Sequence, residues 1–297
     1  MSEHRAWLRP GKVMELEDGR RLGYQIFGDP QGRPVYYHHG WPGSRLESGL
    51  LAPYARPLNI ALVAADRPGM GLSDFQPGRK PIDWPQDVRQ LADHLGHSRF
   101  GLLGISGGGP YALACAYALA DRVTSACVVS GMGPHDSPGG TAAMAWWHRL
   151  AMPLAKRLPL LMRPLFALTA WGAKGCPPCV LVAARTFMPA PDRTVLRRPD
   201  FSEIVGPHVR EIFRQGWRGP AHDGEIYLDG WGFELEEVTT PVHLWHGELD
   251  VSVPAAFGRA VAQRLPNCQA RFDPYEAHLS MVTNHVEDIL RTTAGLK

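Results

Sequence analysis

Short apolar runs, each closed by glycine, proline or serine, recur through the first 133 residues with helical stretches between them. Residues 34–40 (PVYYHHG), 61–69 (ALVAADRPG), 100–106 (FGLLGIS) and 124–131 (TSACVVSG) have this form. Continuous apolar strands suit a parallel sheet covered on both faces, because neither face is left to water. SRLESGLLAPYA, DWPQDVRQLADHL and GGPYALACAYALA read as helices between them. In the second, Val88, Leu91 and Leu95 recur at helical spacing and mark one apolar face. Upstream, KVMELEDGRRLGYQIFG reads as a hairpin turning at Asp18 and Gly19.

After Val238 the alternation resumes: TPVHLWHG, PAAFGRAVAQRL, QARFDPY and LSMVTNHVEDILRTT read as strand, helix, strand and closing helix. The expected fold is therefore α/β, a doubly wound and mostly parallel sheet with an inserted helical cap. Residues 1–133 and 237–297 form the expected core, and 134–236 the cap. The cap is rich in Trp, Met, Pro, Leu and Ala, and has no acidic residue from Ser137 to Pro191. Its apolar residues are expected to pack on the core. Its basic residues with Trp146, Trp147 and Trp171 also resemble an amphipathic surface helix, so interfacial membrane contact is the weaker alternative.

Composition narrows the function classes. The 297 residues carry a net charge of +2, which gives no reason to expect a nucleic-acid partner. There is no secretory signal pattern at the N-terminus and no run of about 18 apolar residues. Five cysteines, an odd count with two in apparently buried elements, fit reduced thiols and a cytoplasmic location. CPPC at 176–179 lacks the second ligand pair of a zinc site and the βαβ setting of a redox site, so ordinary loop cysteines are expected. Oligomeric state is not legible.

The segment LLGISGGGPYALA at 102–114 carries the chemistry. A Walker loop would need Gly-Lys-Ser/Thr, and no lysine is present. A dinucleotide register from Gly107 through Gly109 to Ala112 lacks the acidic residue expected at the end of the next strand. Gly104-Ile105-Ser106-Gly107-Gly108 matches instead the G-x-S-x-G nucleophile elbow, where a strained serine needs small neighbours two residues away on each side. The following helix aims free N–H groups at developing negative charge.

A serine nucleophile needs a base, and the base a carboxylate, in the chain order Ser, acid, His. HLWHGELD supplies Asp250 and FDPYEAHLS supplies His278, each on a loop after a strand. Glu248 and Asp136 are the rival acids. His285 reads as part of the final helix, and His243 and His246 as part of a strand. The expected oxyanion hole is made by the backbone N–H groups of Gly107 and Trp41, the latter in the loop HHGWPGS. In that loop Ser44 is a candidate N-cap. Substrate-binding roles are expected for His39, Gly40, Trp146 and Trp147.

With HHGWPGS, GISGGG, DRPGMGLSD (66–74) and HGELDVSVP (246–254) in this order, the chain resembles the capped α/β-hydrolases with a His-Gly-x-Pro oxyanion loop, across nearly its whole length. Ser106 stands where epoxide hydrolases and haloalkane dehalogenases carry aspartate, which argues against both. Proline iminopeptidases usually carry Trp after the serine, where this chain has Gly107. The resemblance implies a serine hydrolase that needs no metal or organic cofactor. The expected substrate is a small-molecule carboxylic ester or lactone, with a bulky apolar group suggested by the cap. An aminopeptidase or amidase of the proline iminopeptidase type, a carbon–carbon bond hydrolase and a non-catalytic ligand-binding member are the alternatives.

Overall fold

The computed structural model describes residues 9–134 and 188–296, together with Ser137, Ala167, Leu168, Trp171, Gly172, Gly175 and Thr186. Eight strands form one sheet: β1 (Lys12–Glu15), β2 (Arg21–Gly28), β3 (Arg33–His38), β4 (Ile60–Ala65), β5 (Phe100–Ile105), β6 (Val123–Val129), β7 (Val242–Gly247) and β8 (Cys268–Asp273). Their order is β1-β2-β4-β3-β5-β6-β7-β8. The β1–β2 and β2–β4 pairs are antiparallel, and every other pair is parallel. The fold is thus the doubly wound, mostly parallel sheet expected from the apolar runs.

The central strands β4 and β5 are buried at every residue. Helices explain why. One face is covered by α2 (Trp84–Leu95), α3 (Gly109–Ala118) and α7 (Ala255–Arg264), with Val88, Leu91, Leu113 and Val261 in its core. The other is covered by α1 (Ala52–Ala55) and α9 (Val286–Thr293), with Ala55, Ile289 and Leu290. The stretch 44–55 was expected as one helix but splits into a 3-10 turn at Arg45–Leu50 and the short α1, with Pro53 at its start. Helix α2 stops at Gly96, which takes the left-handed conformation (φ 73°) that ends helices without a β-carbon penalty.

Between β6 and β7 the described part of the insertion is helical: α4 (Ala190–Val195), α5 (Pro199–Ile212) and α6 (Arg218–Ile226). These helices fold back over the C-terminal ends of the parallel strands, where open α/β sheets hold their sites. One further helix, α8 (His278–Asn284), precedes α9. His285 is not inside a helix. It sits at the junction where α8 ends and α9 begins.

Candidate active site

Ser106 stands directly after β5 with φ 54°, a left-handed backbone that a non-glycine residue adopts only under external constraint. That constraint is visible at its neighbours. A β-carbon on Gly104 would lie 2.7 Å from both Ala112 Cβ and the Gly108 carbonyl oxygen. One on Gly108 would run into the backbone of His38. The strand and helix on either side of the turn can approach only because both positions are glycine. The helix that follows, α3, is buried along most of its length and is built largely of small residues.

The loop after β3 lies against this turn. A β-carbon on Gly40 would sit 3.6 Å from Ser106 Cβ, and one on Gly107 3.0 Å from the Trp41 backbone nitrogen. Trp41 and Gly107 therefore share one spot beside the serine. The Trp41 indole faces the cap, where Nε1 donates to the Pro220 carbonyl (2.7 Å).

At the ends of β7 and β8 two further residues meet. Asp250 Oδ1 accepts the backbone N–H groups of Ser252 (2.9 Å) and Val253 (2.8 Å), which fixes the carboxylate. Its Oδ2 lies 2.7 Å from His278 Nδ1. A carboxylate can only accept, so Nδ1 carries the proton and Nε2 keeps its lone pair. Beneath them, His246 Nε2 donates to the Val253 carbonyl (2.7 Å) and braces the acid loop. Burial opposes a charge on His278, but Asp250 first, then Asp192 and Glu47, outweigh it, and the His278 pKa is raised.

Residues 130–132 join the two halves. Met132 N–H donates to the Ser106 carbonyl (3.1 Å), and the Ser130 hydroxyl reaches the His278 carbonyl (3.5 Å). The structure thus brings Asp250 and His278 into direct contact and sets Ser106 at the same edge of the sheet. Among the described residues the Ser106 hydroxyl makes no hydrogen bond. Glu248 is exposed and pairs with Arg259. Asp136, Trp146, Trp147 and the 176–179 cysteines lie outside the described residues.

Two expectations need correction. His39 has neither ring nitrogen free for a substrate. It is fully buried, with Nδ1 donating to the Gly40 carbonyl (2.9 Å) and Nε2 accepting from the Arg67 backbone (3.2 Å). Its pKa is pushed well down, first by burial and then by the Arg67 charge, so the ring is a neutral strut in the loop. Ser44 does hold the N-cap position of the 3-10 turn, but its side chain makes no capping bond: its hydroxyl bonds His208 Nδ1 across the seam to the inserted segment (3.0 Å).

Sequence reasoning missed the charges that hold the loops in place. Asp223, on α6, is fully buried between Arg67 and Arg79, and accepts from Tyr111 (2.6 Å). Burial opposes its ionisation, yet the two guanidinium groups hold its carboxyl well below the usual range. Arg67 also donates to the carbonyls of His39 and Gly40, and Tyr227 donates to the Gly107 carbonyl (2.7 Å). One buried cluster therefore holds both sides of the spot beside Ser106. On the same seam, Arg45 bridges Asp66 and Glu211 of α5 (both 2.6 Å). Glu47 accepts from the Gly40 N–H (3.1 Å) and the Tyr37 hydroxyl (2.7 Å). The only sequence signal for any of these was the DRPGMGLSD segment, which contains Asp66 and Arg67.

The fold has known counterparts. Residues 33–282 match the family model described as alpha/beta hydrolase fold. A non-heme chloroperoxidase from Streptomyces lividans is 33% identical over 132 residues, covering 41% of this chain and 45% of that protein. The chain thus spans less than half the length of the first curated relatives it matches. A proline iminopeptidase from Xanthomonas citri is 24% identical over 307 residues, 95% of each chain. Among solved structures, an esterase from Exiguobacterium antarcticum superposes with a TM-score of 0.68 at 15% identity, covering 96% of this chain and 98% of that one. With the sheet order, the elbow and a family match spanning most of the sequence, the chain belongs to the alpha/beta hydrolase fold family.

Proposed function

We propose that this chain is a serine hydrolase that cleaves a carboxylic ester or lactone through an acyl-enzyme. The observation that carries the reading is the 2.7 Å contact between Asp250 and His278, which leaves His278 Nε2 as a base at the sheet edge where Ser106 follows β5. His278 takes the Ser106 hydroxyl proton as Oγ bonds to the carbonyl carbon. The N–H groups of Trp41 and Gly107 receive the oxyanion. The C–O bond to the leaving alcohol breaks as His278 returns its proton to that oxygen. Water, deprotonated by the same nitrogen, then releases the acid and restores Ser106. The preference for a bulky apolar group rests on the Trp- and Met-rich composition of the cap, including Trp146 and Trp147.

A second reading, an aminopeptidase of the proline iminopeptidase type, is favoured by the near full-length alignment with the Xanthomonas citri enzyme. A panel of short and long acyl esters, lactones and aminoacyl amides separates the two, with products identified by mass spectrometry. Ester or lactone turnover at least tenfold above amide turnover is the expected result, and the reverse ranking replaces the first reading with the second. Labelling by a fluorophosphonate probe at Ser106, lost in Ser106→Ala, is expected under either. An unlabelled wild-type protein would mark a non-catalytic member of the fold.

A further inference from the structure

Asp192 belongs to α4 of the inserted segment, yet its carboxylate touches the segment that carries His278. Oδ2 accepts from the His278 backbone N–H (3.2 Å), and Oδ1 from those of Leu279 (2.9 Å) and Ser280 (3.0 Å). The Ala277 N–H is taken by the Ser280 hydroxyl (2.8 Å), so the open end of α8 is tied off around one buried acid. Asp192 is fully buried, and among the described residues the groups that act on it are the Ser280 and Leu279 N–H groups, His278 and Asp250, with no lysine or arginine among them. Burial, the largest influence, raises the Asp192 pKa, while the Ser280 N–H and the charge on His278 oppose that rise. Held by backbone donors at the His278 segment, the carboxylate in turn favours the charged form of the His278 imidazole.

We infer that Asp192 is a positioning residue through which the cap sets the orientation of His278 and supplies a second negative charge to its imidazolium. The inference rests on His278 being the base in the reading above. The other groups facing His278 are Asp250, with His246 of β7 beneath it, and Glu47 from the turn after β3. Glu276 is held by Asn284, while Arg193, Glu287 and Asp288 are exposed. Asp250 and Asp192 divide the work. Asp250 fixes the ring tautomer, and Asp192 fixes the backbone from which the ring projects. A serine hydrolase of this design has its base in place only while α4 is seated on the core.

The test is an NMR titration of the His278 imidazole in the full chain, assigned by comparison with His278→Ala, for wild type, Asp192→Asn and Asp192→Ser. Both variants keep an acceptor for the α8 N–H groups and remove the charge, and the second guards against a failure of the first to fold. The expected result is a downward shift of the His278 titration by about half a unit to one unit in both. The acidic limb of ester hydrolysis should move down with it, and kcat should fall about tenfold with KM within twofold. A His278 titration unchanged in both folded variants overturns the inference. Turnover that survives in His278→Ala instead sinks the proposed mechanism, while the titration still reports on Asp192.

Discussion

Tyr227 donates its hydroxyl proton to the carbonyl oxygen of Gly107 across 2.7 Å, joining the inserted segment to the residue that follows the elbow serine. The same hydroxyl lies 3.4 Å from Asp223 and 3.5 Å from Arg67. Tyr227 is buried, and burial first of all raises its pKa well above the usual phenol range, so it remains a donor at any working pH. Tyr227→Phe removes this tie and leaves a buried carbonyl without its donor. The expected cost is about 1 kcal/mol in urea unfolding. A fall of about tenfold in kcat should accompany it, because the Gly107 peptide is no longer held against Trp41.

Hydrolysis should depend on a group titrating above the ordinary histidine value of about 6.5. Burial opposes the charge on His278, but Asp250 prevails and raises its pKa. In the proposed mechanism the neutral ring is the base, so activity should rise with pH through that raised value. Asp250→Asn should lower the midpoint of this limb and reduce kcat by about 10⁴-fold. Rate profiles between pH 5 and 9 check both, and a midpoint unmoved by the substitution would remove Asp250 from its role.

Gly108→Ala should fold poorly. The new β-carbon would meet the backbone of His38, which is locked in β3 and cannot yield. A loss of about 3 kcal/mol is expected, the upper end of overpacking costs. Gly230→Ala, where nothing lies within 4 Å of the new atom, should change stability by no more than about 0.5 kcal/mol. Thermal melts of the two variants make the comparison.

Asp223→Asn leaves Arg67 and Arg79 buried beside a neutral amide, and should cost about 3 kcal/mol or more in denaturant unfolding. Its effect on catalysis should exceed that of an equally destabilising core truncation such as Val261→Ala on α7, because Arg67 also holds the His39 and Gly40 carbonyls. Equal activity losses in the two variants would make the cluster merely structural.

Strand positions, the doubly wound fold class and the glycine requirement around Ser106 were legible in the sequence, because alternation of apolar runs with helices and turn sterics are local. Chain order, together with position on a loop after a strand, put forward Asp250 and His278, with Glu248 and Asp136 as rival acids. What no local rule reached was the pairing of buried groups. Arg67 and Asp223 are 156 residues apart, and Asp192 and His278 are 86 apart. Spacing carries no information about such pairs, since they form only when the insertion folds back on the strand ends. His39 illustrates the same limit: its residue type and loop suggested a substrate contact, while its burial and both its partners were decided by Arg67 and the Gly40 carbonyl. Sequence determined the frame and put forward the candidate reactive side chains. Tertiary structure alone decided which buried charges hold them, because a charge removed from water must be met by whichever polar group the packing brings to it.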